Sequence, residues 1–177
     1  MIIPVIDRLR RFQEYVLELG LSQAVLALPA PRMLALTGPS NDGSSAVFAR
    51  TVTEPEILET TRDLFASGHY SRAVQEAYKA VEKFVQLKAK KNRLSGTALK
   101  QNVFSAESPL LFWSERKRIS EEDEQKGYMM LFAGAMLGIR NPVTHEFNWV
   151  EDRDIALELI LFAQHLLRKA KLAKAMP

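Results

Sequence analysis

Apolar residues recur at helical spacing in several stretches of the chain, and short polar breaks separate these stretches. The clearest stretch runs from Ser71 to about Lys90, where the apolar positions fall three and four residues apart: Val74, Ala77, Tyr78, Val81, Phe84 and Val85. Such spacing places them on one face of a helix. The same period recurs over Glu54–Gly68, Ser120–Ile139 and Glu151–Ala173. The pattern therefore predicts a chain made mainly of amphipathic helices.

Capping and turn residues mark the ends of these helices. Thr53 to Glu56 combines a hydroxyl, a proline and acidic residues, which is typical of a helix start. Gly68 separates this helix from the next and predicts an antiparallel hairpin. Ser120 begins a variant of the capping box. The positions after it predict a buried stripe and leave Gln125 on the solvent side: Tyr128, Leu131, Phe132, Ala135 and Ile139. In the last helix, Ile155, Leu159 and Leu166 are predicted to be buried.

Two glycines, Gly134 and Gly138, lie inside the helix that follows Ser120. Glycine in a helix interior costs roughly 1 kcal/mol relative to alanine. We expect their role to be the close approach of another helix, from the same chain or from a second copy.

The first fifty residues have a different character. A helix is predicted from Pro4 to about Gly20, followed by an apolar stretch that two prolines interrupt. Turn formers from Thr37 to Ser45 predict a loop, and Ala46–Val52 is predicted as a short strand. The sequence thus predicts an N-terminal extension over residues 1–52 and a helical bundle over residues 53–177.

Composition narrows the class of protein. The chain is 47% hydrophobic and 25% charged, as in ordinary globular domains, and its net charge is only +3. With no cysteine it has neither disulfides nor a cysteine-based zinc site. No run of eighteen apolar residues is present and Met1–Ile6 does not resemble a signal peptide, so we expect no membrane association and a cytoplasmic location.

The motif with the clearest chemistry runs from Arg140 to His145 and contains Asn141 and Pro142. Residues five apart on a straight helix point about 140° away from each other. Proline disfavours helical geometry at the residue before it, so a bend at Asn141-Pro142 is expected to bring both side chains to one side. Arginine suits phosphate oxygens and histidine suits proton transfer near neutral pH. The pair therefore indicates a phosphodiester-handling site; solvated side chains or a structural ion pair are the alternatives.

Other candidate residues have two interpretations each. Glu82 is either a surface ion-pair partner of Lys79 or an acidic helper beside the motif. Trp113, in an apolar flap followed by basic residues 116–118, either stacks on RNA or packs inside the protein. His165 is predicted to be structural. Glu146 has no neighbouring ligand cluster, so no metal site is predicted.

Arg-Asn-Pro-x-x-His resembles the Rx4–6H motif of the HEPN superfamily, whose members are small helical bundles and often metal-independent endoribonucleases. An ordered set of upstream segments extends the likeness: Gly68–Val74, Gly96–Leu99, Pro109–Leu111, Gly127 and Phe132–Ala135. Together these resemble the Ymh-type branch, which is associated with mobile elements. The resemblance covers about Glu54 to Leu172.

The resemblance implies an all-α, HEPN-like bundle of four or five helices with a small N-terminal extension. It implies cleavage of RNA by 2′-hydroxyl attack, with His145 as general base or acid, Arg140 holding the phosphate and Asn141 assisting. Glu82, Thr144 and Glu146 are supporting candidates. No cofactor or metal is implied.

The implied partners are RNA, a second copy that completes a composite dimer site, and a protein antitoxin or regulator, in a toxin or phage-defence setting. The alternative function is a non-catalytic helical module that binds a protein or a nucleotide.

Overall fold

The computed structural model describes residues 41–146 and 148–175. By its contacts the chain divides into Met1–Ser40 and Asn41–Pro177. The predicted helix after Pro4, the stretch after Gly20 and the start of the Thr37–Ser45 loop lie outside the described residues.

The described part is an all-α bundle, as predicted. Its elements in chain order are α1 (Asn41–Thr51), α2 (Pro55–Ala66), α3 (Tyr70–Ala89), α4 (Gly96–Val103), β1 (Leu111–Phe112), α5 (Ile119–Ala135), a π-helical segment (Met136–Arg140), α6 (Asn141–His145), α7 (Arg153–Leu172) and β2 (Lys174–Ala175). The short strands β1 and β2 pair antiparallel, with Leu111 opposite Ala175. No helix within the described residues is both long and apolar enough to cross a bilayer.

The strand predicted at Ala46–Val52 is wrong, because residues 46–51 belong to α1 and Val52 directly follows it. Phe48 and Val52 are buried, and the Phe48 ring stacks on Phe65 of α2 with 4.4 Å between centroids. Burial of this aromatic pair against the bundle overrides the local strand preference. The same helix replaces the end of the predicted loop.

The predicted hairpin is confirmed in α2 and α3, which pack on each other around Gly68. Gly68 has φ of 79°, a left-handed conformation that glycine adopts without strain. Residue Glu54, rather than Thr53, is the N-cap of α2, and Pro55 occupies the first turn. The apolar stripe of α3 forms the centre of the core: Val74, Ala77, Tyr78, Val81 and Val85 are fully buried.

The prediction that Asn141 departs from helical geometry before Pro142 is also wrong. Helix α5 continues through the π-helical segment into α6, and Asn141 has helical angles of φ −65° and ψ −50°. The Asn141 N–H bonds to the Met136 carbonyl, a π-type step. Proline clashes with the carbonyl four residues earlier in a regular helix and lacks an N–H. One wider turn immediately before Pro142 accommodates both effects while the backbone stays helical.

Several positions differ from the predicted burial. Leu131 is 45% exposed and Ile155 is 52% exposed, although both were assigned to buried stripes. Conversely Gln125 is buried, and its amide donates to the carbonyls of Phe104 and Leu111. The loop and strand after α4 cover this side of α5. The buried face of α5 is therefore rotated about the helix axis relative to the predicted one.

Trp113 is a packed indole and not an exposed stacking platform. Its ring lies against Phe104, Phe132 and Tyr128, and its Nε1–H donates to the Lys169 carbonyl at 2.7 Å. His165 stacks on Tyr128 and hydrogen-bonds to its hydroxyl at 2.9 Å. These contacts attach α5 and the Pro109–Trp113 flap to α7.

Candidate functional site

The motif segment lies along one polar face of α3. Two clefts open beside it, and the α3 residues that line them are Tyr70, Ser71, Arg72 and Gln75 in one cleft and Lys79, Glu82, Lys83 and Gln86 in the other. Lys79 and Glu82 follow Gln75 by four and seven residues, so these side chains of the two clefts lie on the same side of α3. The seven residues from Gln75 to Glu82 span about 10 Å. The two clefts therefore lie one after the other on this side of α3, and the two together are called here the groove.

The first cleft, called here the Arg140 cleft, has a volume of about 320 Å³ and is lined by Lys79, Glu82, Lys83, Gln86, Ser95 and Arg140. The Arg140 guanidinium is held only loosely. Its Nη2 lies 3.6 Å from Glu82 Oε2, and its Nη1 lies 3.4 Å from Asn141 Oδ1. Its Nε is buried and has no hydrogen-bond partner among the described residues. Because strong charge-assisted bonds are about 2.7–2.9 Å long, this fork retains donor capacity for an anion.

Glu82 faces the motif, as the second interpretation of this residue proposed. It is buried, its Oε1 accepts the Gly96 N–H at 2.5 Å, and its Oε2 faces Arg140. The predicted ion pair with Lys79 is absent from the described contacts, since Lys79 binds Glu76 at 3.0 Å instead. Glu82 thereby connects the start of α4 to the motif.

Lys100 adds a second charge behind Glu82. The side chain is fully buried, its Nζ has no hydrogen-bond partner within the described part of the chain, and it lies 6.0 Å from the Phe132 ring centroid. Burial lowers the pKa of Lys100 to about 7, and the negative charge of Glu82 opposes this effect. A buried amine that can lose its proton near neutral pH therefore interacts with the carboxylate that faces Arg140.

The second cleft, called here the His145 cleft, has a volume of about 440 Å³ and lies between the start of α3, the end of α6 and the segment that leads to α7. His145 and Glu146 are exposed at its wall. Its floor is tied together by Ser71, whose Oγ accepts the Val150 N–H at 2.7 Å and lies 3.1 Å from the Val150 carbonyl. The volume is within the roughly 300–1,000 Å³ of small-molecule sites.

A chain of hydrogen bonds connects the two clefts. Arg72 Nη1 donates to Gln75 Oε1 at 2.6 Å, and Gln75 Nε2 donates to Thr144 Oγ1 at 3.1 Å. The Thr144 hydroxyl in turn donates to the Arg140 carbonyl at 2.7 Å. Gln75 is buried, so these bonds fix the position of α6 relative to α3.

Arg140 and His145 do not share a cleft within one chain. The backbone between them stays helical, and Arg140 lines one cleft whereas His145 lines the other. Asn141 contacts Arg140, whereas Thr144 and Glu146 line the His145 cleft with the histidine. The groove therefore offers a cation at one position and an imidazole at the next.

A family model described as "Protein of unknown function (Hypoth_ymh)" matches residues 51–170. The chain belongs to this family. No curated protein and no solved structure matches it. The matched range of the Hypoth_ymh family extends from the end of α1 into α7 and includes every residue that lines the two clefts.

Three groups of this site were missed from the sequence: His69, the Arg72–Gln75 pair and Lys100. Arg72 and Gln75 lie outside the apolar stripe of α3, and their seven-residue spacing from Lys79 and Glu82 is a detectable signal of a second, polar contact face. Lys100 carried no such signal, because its burial depends on how α4 packs on α5.

Chemically, the groove presents cations with free donors beside imidazoles. The Arg140 cleft carries the positive side chains of Lys79, Lys83 and Arg140 against one carboxylate, Glu82. Among the described residues, no group of three or more His, Cys, Asp or Glu side chains is arranged to hold a metal ion. The arrangement is suited to binding a phosphate and transferring protons.

Proposed function

We propose that this protein is a metal-independent endoribonuclease. The observation that carries the proposal is the loosely held guanidinium of Arg140, which lies with Lys79 and Lys83 in one groove with the His145 cleft. A phosphate chain that follows the groove meets donors at one cleft and an imidazole at the other. The motif's resemblance to HEPN ribonucleases supports the same chemistry.

In this mechanism a phosphate of the RNA binds to Arg140, and the scissile phosphodiester lies in the His145 cleft. His145 transfers a proton at the ribose 2′-oxygen or at the leaving 5′-oxygen. Glu82 orients the Arg140 guanidinium from behind, and Thr144 holds His145 in place through its bond to the Arg140 carbonyl. The 2′-oxygen displaces the 5′-oxygen, which leaves a 2′,3′-cyclic phosphate and a 5′-hydroxyl.

We extend the proposal to a homodimer formed by the exposed side of α5 and the π-helical segment. Apolar and glycine residues follow helical spacing along it: Met130, Leu131, Gly134, Leu137 and Gly138. Apart from the neighbouring residues and backbone of the same helix, no described atom lies within 4 Å of a Cβ built at either glycine, so these glycines serve no contact with another element within the described part of one chain. The stripe ends at Arg140, and a second copy on it places two Arg140 clefts close together for RNA binding. A protein antitoxin as a further partner stays a prediction from the resemblance.

The test is cleavage of RNA by the purified protein in EDTA, followed by analysis of the product ends. We expect cleavage to persist in the chelator and to leave 2′,3′-cyclic or 3′-phosphate ends. Activity that requires an added divalent metal, or 5′-phosphate products, would contradict the proposed mechanism.

Two substitutions distinguish the enzyme from a binding module. His145→Ala should abolish cleavage with little change in melting temperature, because the exposed imidazole contributes little packing. Arg140→Lys should also reduce cleavage by about 10²-fold or more, since the planar fork is lost although the charge remains. If both variants cleave RNA as the parent does, the motif is not the catalytic site; if the parent and both variants bind RNA equally and none cleaves it, the interaction-module alternative is favoured.

A further inference from the structure

The His145 cleft contains a second histidine. His69 is the N-cap residue of α3 and lines the same cleft as His145, the last residue of α6. Both side chains are exposed. The sequence contains three histidines, and the third, His165, lies outside this cleft in contact with Tyr128. Folding thus brings together two imidazoles that are 76 residues apart in the chain.

We propose that His69 and His145 of one chain form the general acid–base pair that cleaves a single-stranded RNA phosphodiester bound in this cleft. The inference rests on the proposed ribonuclease function and adds to it the second proton-transfer group and its location. In this arrangement the chemistry is completed within one subunit, and a second subunit contributes to RNA binding rather than to proton transfer.

The reaction requires two such groups. One imidazole accepts the 2′-hydroxyl proton as the 2′-oxygen forms its bond to phosphorus. The bond from phosphorus to the 5′-oxygen breaks, and the other, protonated imidazole gives its proton to that oxygen. A single histidine can only accept the first proton or donate the second. Two histidines do both, so the pair gains and loses no proton overall.

The surroundings of the two histidines fit a phosphate at this position. The first turn of α3 follows His69 directly, and no side chain caps it, so the positive end of a 20-residue helix faces the bound group. The charged groups that line the cleft are Arg72 from α3, Glu146 after α6 and Glu151 before α7. Arg72 is positioned by bonds to Gln75 and Glu76. The cleft thus places one cation and two carboxylates around the two imidazoles.

The sharpest variant is His69→Asn. Asparagine is a preferred N-cap residue, so the substitution removes the imidazole while maintaining the start of α3. We expect kcat/KM for RNA cleavage to fall by about 10²–10⁴-fold, with one limb of the bell-shaped pH profile lost. The matched control is His165→Asn, which removes the remaining histidine and should leave both kcat/KM and the profile unchanged.

A modified substrate separates a catalytic role from a structural one. If the bridging 5′-oxygen of the scissile phosphate is replaced by sulfur, the leaving thiolate needs no acid, because a thiol has a pKa of about 8.5. The variant that lacks the acid, either His69→Asn or His145→Ala, should recover on this substrate, and the variant that lacks the base should not. Failure of both to recover would mean that His69 is not half of the pair.

Mixing the two variants tests whether the pair belongs to one chain. Co-expressed His69→Asn and His145→Ala chains with different tags should show no more activity than each alone, because every chain lacks one member. Recovery of cleavage in the mixed assembly would overturn the single-chain assignment.

Normal cleavage by His69→Asn beside an inactive His145→Ala would overturn the role of His69 and leave the ribonuclease function standing. A parent protein that cleaves no RNA would overturn both.

Discussion

At the scale of single residues, the most consequential feature is the pair of buried charged side chains next to the motif, Glu82 and Lys100. Glu82 accepts a backbone N–H and faces Arg140, while Lys100 lies fully buried without a hydrogen-bond partner among the described residues. An unpaired buried amine destabilises the folded state while it carries its charge. This has a direct consequence for stability as a function of pH.

Burial holds the pKa of Lys100 at about 7, below its value of about 10.5 in the unfolded chain. Between these values the unfolded chain binds the proton and the folded chain does not, so stability rises with pH across that window. We expect the contribution of Lys100 to the free energy of unfolding to increase by about 2 kcal/mol from pH 7 to pH 9.

Lys100→Met should therefore be more stable than the parent at pH 7, and its advantage should shrink by pH 9. Urea unfolding at pH 7 and at pH 9 measures the difference in stability between Lys100→Met and the parent. Lys126→Met, at an exposed lysine, is the matched control. The measurements stay below pH 10, because burial also raises the pKa of Tyr78. At higher pH this tyrosine loses its proton in the unfolded chain only, which lowers the stability of the folded state. A difference between Lys100→Met and parent that is the same at both values would show that Lys100 does not titrate in this window.

At the scale of elements, α5, the π-helical segment and α6 form one continuous helical element. One side of it enters the core through Phe132, Ala135 and Met136, and the opposite side shows glycines and large apolar residues. Leu137 is 63% exposed directly before the residues of the motif. An exposed apolar stripe of this kind is typical of a helix–helix interface between subunits.

Gly134→Leu tests this stripe. The monomer has room for the side chain, and leucine favours the helix by about 0.8–1 kcal/mol over glycine, so the melting temperature of the monomer should not fall. We expect loss of the dimer in light scattering and weaker RNA cleavage in the same preparations. Gly134→Ala is the matched control, since it raises helix preference with little bulk. A monomeric parent with full activity would contradict the dimer.

At the scale of the whole molecule, α1 belongs to the bundle although the predicted boundary separated it. Phe48 and Val52 are core residues, and the buried Gln164 of α7 donates to the Thr51 carbonyl and accepts the N–H groups of Thr53 and Glu54. The core cluster extends from Phe48 to Ala173. We infer that residues 41–177 contain what this unit needs to fold.

Two fragments separate the possible boundaries. Residues 41–177 should unfold cooperatively with a stability close to that of the full chain. Residues 53–177 should lose about 3–5 kcal/mol, because removal of Phe48 leaves a cavity against Phe65. Urea unfolding of both fragments gives the comparison, and equal stability would place α1 outside the folding unit.

Much of the secondary structure was predictable from the sequence alone. The stripe of α3 and the helical state of α7 are set by 3.6-residue periodicity, and Gly68 and Pro55 act through their own backbone geometry. The candidate residues Arg140 and His145 were also visible, because the motif is local. Each of these features depends only on residues that are close together in the chain, so it can be read from the sequence without knowledge of the fold.

The tertiary structure decided the remainder. Whether Pro142 bends a helix or is absorbed by a π-type turn depends on how firmly the flanking segments pack, as do the burial of Lys100 and Gln125 and the helical state of α1. Only the packing of α3 against α6 shows that Arg140 and His145 lie in successive clefts and that His69 joins the second. Contacts between residues far apart in the chain are determined by how the surfaces of whole elements fit together, and no local pattern specifies that fit.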